Sequence, residues 1–124
     1  MSWENAFKTG TELVLATSSK KGDPNANIVI SLGFVDNKLL VADCQMNITI
    51  KNLQSNNKIC VIPKNYSEGY YRVKGSVEIL NSGKYFDICT KGNKQFPVKN
   101  AILIDIKEVF DLDKLKVIQI RKIK

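Results

Sequence analysis

Residues Leu39–Leu53 read LLVADCQMNITIKNL, and the change of character within this stretch decides the fold. Leu39–Asp43 is a short apolar strand, after which Ile50 and Leu53 fall at helical spacing on one face. Asn47 is placed to cap that helix, and Thr49 lies in its first turn. A helix start leaves backbone N–H groups without partners at the positive end of the macrodipole. A strand-to-helix turn of this kind can hold a phosphate, with plain capping as the alternative.

Working outward, Glu12–Ser18 is a strand candidate followed by the turn signal Lys20-Lys21-Gly22-Asp23-Pro24. In Asn25–Val35, Ile28, Ile30, Leu32 and Phe34 alternate with Val29, Ser31 and Gly33, the period of a half-buried strand. Asp36-Asn37 turns the chain, and Lys38–Asp43 returns as its hairpin partner. Beyond the helix, Asn56-Asn57 break it and Lys58–Pro63 is a fourth strand. After the polar loop Lys64–Glu68, Gly69–Leu80 alternates over its length, with Gly75 marking a bulge or tight bend. Ser82 opens a second helix ended by Gly92, and Ala101–Val109 is the sixth strand. A short helix precedes them all, from Ser2 to Lys8, with Ser2 as its cap. In Asp111–Lys124 strand and helix both stay open. The pattern is mainly β with α+β character: a six-stranded antiparallel split β-barrel with two or three short helices, one domain over 1–124.

The composition bounds the function. Hydrophobic residues at 44% and charged residues at 25% suit a globular domain. No apolar run is long enough for a membrane helix, and Met1 is followed by no basic, then apolar, leader, so the expectation is a cytoplasmic protein without a membrane. The net charge of +7 invites a nucleic-acid reading, but the lysines are mostly spread singly and no stacking motif or helix-turn-helix accompanies them. A surface that favours small anionic ligands is the expectation, with nucleic acid disfavoured. Histidine is absent and the three cysteines form no CxxC pair, which removes a Cys/His zinc site and a histidine general base. Cys44, Cys60 and Cys89 each lie in an apolar segment and are expected to be buried free thiols. No carboxylate pair, GxGxxG or P-loop pattern occurs, so if the chain catalyses a reaction, a cofactor carries it.

The order of phrases is more telling than any one of them. A short N-terminal helix leads to LATSSKKGDPNANIVI, VDNKLLVAD, MNITIKNL, KICVIP, EGYYRVKGSVEIL and AILIDIKEVF. Over residues 5–110 this succession resembles the pyridoxamine 5′-phosphate oxidase-like FMN-binding split-barrel family, most closely its small single-domain members. The resemblance implies a homodimer with FMN in clefts at the subunit interface. Asn27, Ile28, Val29 and Ile30 would line the isoalloxazine, and Asp43 and Cys44 would stand at the rim of the ring. Thr49 and Asn52 match the threonine and asparagine of the family's K-T-x-x-N phrase at the phosphate. Ile48 departs from it: many members carry lysine there, and its loss removes a charge-assisted contact worth about 1.5–3 kcal/mol. Arg72 and Lys74 are candidate replacements, and Tyr70, Tyr71, Phe96 and Val117–Ile123 are candidates for burial by a partner. The implied activity is that of an FMN-dependent oxidoreductase or electron carrier. The alternative is a split barrel that has changed its ligand for another planar or phosphorylated molecule, such as a deazaflavin.

Overall fold

In the computed structural model, which describes residues 3–120, a 3₁₀ helix at Trp3–Phe7 precedes strands β1 (Glu12–Ser18), β2 (Pro24–Ile30), β3 (Phe34–Val35) and β4 (Lys38–Asp43). Helix α1 (Ile48–Ser55), strand β5 (Lys58–Pro63), a 3₁₀ turn at Tyr66–Glu68 and strand β6 (Tyr71–Leu80) follow. Helix α2 (Lys84–Gly92) and strands β7 (Asn100–Asp111) and β8 (Lys116–Ile120) complete the chain. All the strands join one antiparallel sheet in the order β2-β1-β5-β6-β7-β4-β3, with β8 also pairing β7. This is a split β-barrel with helices set against it. Among the described residues no helix is long and apolar enough to cross a membrane.

The unbroken apolar run of β4 has a direct cause. Leu39 and Val41 point into the barrel core with Leu13, Leu15, Val61, Ile102 and Ile104. Leu40, between them, points the other way, into a second cluster with Cys89, Ala101 and Leu103 beneath α2. A strand covered on both faces has no solvent side to make polar. The barrel end is closed by edge-to-face contacts among Trp3, Phe7 and Phe34, with ring centroids 5.7–6.3 Å apart.

The strand count is eight rather than six. The stretch Asn25–Val35 is not one strand: β2 forms a hairpin with β1, the ladder breaks at Ser31–Gly33, where Ser31 still bonds Thr11 while Leu32 and Gly33 bond Leu40, and Phe34–Val35 continues as β3 against β4. The break is built by Ser31, fully buried, whose Oγ donates to the Phe7 carbonyl at 2.6 Å and accepts from the Gly33 N–H at 2.9 Å. The Asp36-Asn37 turn has φ of 52° and 65°, the left-handed pair that matches strand twist in a two-residue hairpin. The tail is resolved as a strand over Lys116–Ile120; Ser2 and positions 121–123 of the expected partner surface lie outside the described residues. The second helix starts at Lys84 rather than Ser82, with Gly83 at its cap. At Gly75 the register of β6 against β7 shifts, and a Cβ there would overlap the Asp105 carbonyl. Of the three thiols, only Cys89 is buried; Cys44 and Cys60 are half-exposed because they sit at a strand end and on an outer sheet face.

Candidate functional site

A cleft of about 740 Å³ lies between strand β2, the turn leaving β4, the start of α1 and the end of α2 with the loop after it. Strand β2 is the edge of the sheet, so one side of its backbone keeps unpaired donors and acceptors. Ile28 and Ile30 are 57% and 50% exposed, and both line the cleft with Val29. Exposed isoleucines in a row give a flat ring an apolar wall beside polar backbone.

The turn at the far side is shaped by Asp43. Its carboxylate, 1% exposed, accepts from the Met46 N–H at 2.8 Å and from Asn100 Nδ2 at 2.7 Å. Asp43 therefore builds the wall from beneath, and its neighbours Cys44 and Met46 line the cleft. Asn93, just past α2, donates from Nδ2 to Cys44 Sγ at 2.9 Å and joins that helix end to the turn. Burial, and secondarily the nearby Asp43, hold the Cys44 thiol above its ordinary pKa, so at neutral pH it is a protonated thiol.

The start of α1 is fastened to the sheet by Thr49 and Asn52. Thr49 Oγ1 donates to Asn27 Oδ1 at 2.8 Å and accepts from Asn25 Nδ2 at 3.1 Å. One turn on, buried Asn52 donates to Thr17 Oγ1 at 3.0 Å and does not reach the cleft. Asn47 occupies the cap position of α1 without a side-chain capping bond, which leaves first-turn N–H groups at the cleft. Ile48 is 51% exposed at the same mouth.

Of the sequence-selected residues, Asn27, Ile28, Val29, Ile30, Cys44, Ile48 and Thr49 line one cleft, while Asp43 and Asn52 lie behind it. Sequence reasoning missed Asn25 and, just past α2, Asn93 and Gln95, and it assigned Phe96 to a partner surface rather than to the cleft. The Asn-Ala-Asn alternation at 25–27 was a usable signal for Asn25; nothing local links α2 to the turn after β4. Among the described residues that line the cleft, none carries a charge. Lys94 borders a smaller pocket that shares Asn93, Gln95 and Phe96 with the cleft, and Lys58, Lys74 and Lys107 border a broader depression of about 870 Å³ across β1, β5, β6 and β7.

Residues 5–118 match the sequence model of the pyridoxamine 5′-phosphate oxidase family. An uncharacterized protein of Methanocaldococcus jannaschii is 31% identical over 105 residues, covering 79% of this chain and 70% of its own. HupZ of Group A Streptococcus superposes with a TM-score of 0.81 at 21% identity, over 94% of this chain and 96% of that one. An FMN-binding protein of Syntrophomonas wolfei gives 0.70 at 21% identity, over 98% and 84%. An F420 reductase gives 0.70 at 16%, over 88% and 96%. At these identities the structural likenesses speak for the fold.

Proposed function

The chain belongs to the pyridoxamine 5′-phosphate oxidase family of split barrels, and from that premise we propose that it is an FMN-binding flavoprotein, a homodimer acting as an oxidoreductase or electron carrier in the cytoplasm. The observation that carries the reading is the convergence of Asn27–Ile30, Cys44 and Thr49 on one cleft along a free strand edge. The isoalloxazine end fits: Ile28 and Ile30 supply an apolar wall, and the amide groups not engaged by Thr49 or Cys44, Asn27 Nδ2 and the side-chain carbonyls of Asn25 and Asn93, supply a donor and acceptors. The phosphate end is poorer, because Ile48 stands where the resemblance implies a lysine and no lining residue among those described is charged. FMN, when bound, supplies hydride or single-electron transfer. The protein's part is to seat the ring against β2, orient it by amide contacts and screen one face with apolar side chains. Cys44, protonated at neutral pH, offers a hydrogen-bonding thiol and no thiolate.

Exposed apolar groups support a second copy. Val117, Ile118 and Ile120 on β8 are 40–68% exposed, and Phe96 at the cleft mouth is 47% exposed. Tyr71, by contrast, packs on the barrel core. On the outer face of β6, Arg72 lies 4.6 Å over the Phe110 ring, and its Nε is buried without a hydrogen-bond partner. Oxidation of pyridoxamine phosphate itself is not expected: the chain has no histidine, and the described residues lining the cleft include no cation for the substrate's phosphate. A second reading, a planar ligand without a phosphate, such as an unphosphorylated deazaflavin, in the same cleft, is favoured by that same lack of charge. The test is gel filtration after incubation with FMN. Flavin absorbance is expected to elute with the protein at twice the monomer mass; protein that stays colourless at high FMN would sink the reading.

A further inference from the structure

We infer that the cleft recognises its flavin by the ring and is nearly indifferent to the phosphate, so that riboflavin and FMN bind with affinities within about fivefold of each other. The inference rests on the flavin reading above and specifies the ligand class of that site: a neutral, flat heterocycle with alternating donors and acceptors.

Three features of the phosphate end lead there. The lining residues among those described are all uncharged, in a chain whose net charge is +7. The Thr49 hydroxyl, in the first turn of α1, spends its only proton on Asn27 and receives one from Asn25. Thr49 is 3% exposed, so serving a phosphate would break the link that holds α1 to β2. Ile48 sets an apolar side chain at the mouth, where a dianion would lose hydration without gaining a partner. What remains for a phosphate is one short helix start, worth a factor of about two to five, beside the neutral amides of Gln45 and Asn47. A lysine contact would be worth about one to two decades.

The ring end is built to the opposite specification. Asn27 keeps its Nδ2 protons and Asn25 and Asn93 their side-chain carbonyls, the opposite end of each amide being engaged by Thr49 or Cys44, and the unpaired edge of β2 adds backbone donors and acceptors. Neutral amides match the alternating carbonyl and N–H groups of a pyrimidine edge, and the isoleucine wall matches the ring's faces.

Flavin-fluorescence titrations of the full chain with riboflavin and with FMN, at about 50 and about 500 mM NaCl, test this. The expected result is a dissociation-constant ratio under about fivefold and an FMN affinity that moves less than about twofold with salt. Ile48→Lys is expected to tighten FMN at least about tenfold and to leave riboflavin unchanged. A wild-type preference for FMN of about tenfold or more overturns the inference while the flavin reading stands. If Arg72→Ala erased that preference, the phosphate would be held by the β6 face of a second copy. An Ile48→Lys ratio equal to wild type overturns the role given to Ile48. Binding of neither flavin removes the flavin reading itself, in the same titration.

Discussion

Thr49 makes two hydrogen bonds with one hydroxyl, and both partners are asparagines of β2. Thr49→Val keeps the shape and leaves Asn25 and Asn27 each without a partner in a half-buried place. The expected cost is about 1–3 kcal/mol, read as a lowered urea midpoint at unchanged slope. An unchanged midpoint would mean that solvent replaces both bonds. Cys89 makes a separate prediction. Burial, with a smaller effect from Cys44, pushes its thiol from an ordinary 9.0 up to about 11. The unfolded chain then loses this proton first, so the native state binds more protons between those pH values and stability falls as pH rises from about 9 to 11. Cys89→Ala should flatten that part of the stability–pH curve relative to wild type; parallel curves would contradict the assignment. Ile48 was visible in the sequence as a departure from the family phrase. The engagement of Thr49 was not, because its partners lie 22 and 24 residues away.

At the scale of elements, the sequence was most legible where packing is simplest. The alternation of β6 and its glycine gave the strand and its bulge. At Gly75 a Cβ would overlap the Asp105 carbonyl, so Gly75→Ala must push β6 off β7. The expected loss is about 2 kcal/mol or more, measured by thermal or urea unfolding, and a neutral change would show that the bulge has slack. Strand β2 was less legible. Its isoleucines alternate as a half-buried strand should, but the sequence carries no sign of which face meets the core; the structure turns Val29 inward and Ile28 and Ile30 out to the cleft. The tail stayed undecided because every residue of β8 is exposed, so no inward stripe marks its period. Helix α2 was found, and its contact with the turn after β4 was not, since Asn93 and Cys44 are 49 residues apart.

At the scale of the molecule, the barrel order that places β2 at an edge also creates the cleft, and the same edge leaves Ile28 uncovered. A globular domain gains nothing in stability from an isoleucine 57% exposed beside a row of neutral amides. A flat ring seated there would cover it. The most direct measurement is a flavin-fluorescence titration of wild type and Ile28→Asp in parallel, with the urea midpoint of each as a control. The account predicts saturable FMN binding by wild type, at least about tenfold weaker binding by Ile28→Asp, and matching midpoints. Equal FMN affinity in the two proteins, or no saturable binding by wild type, would contradict it.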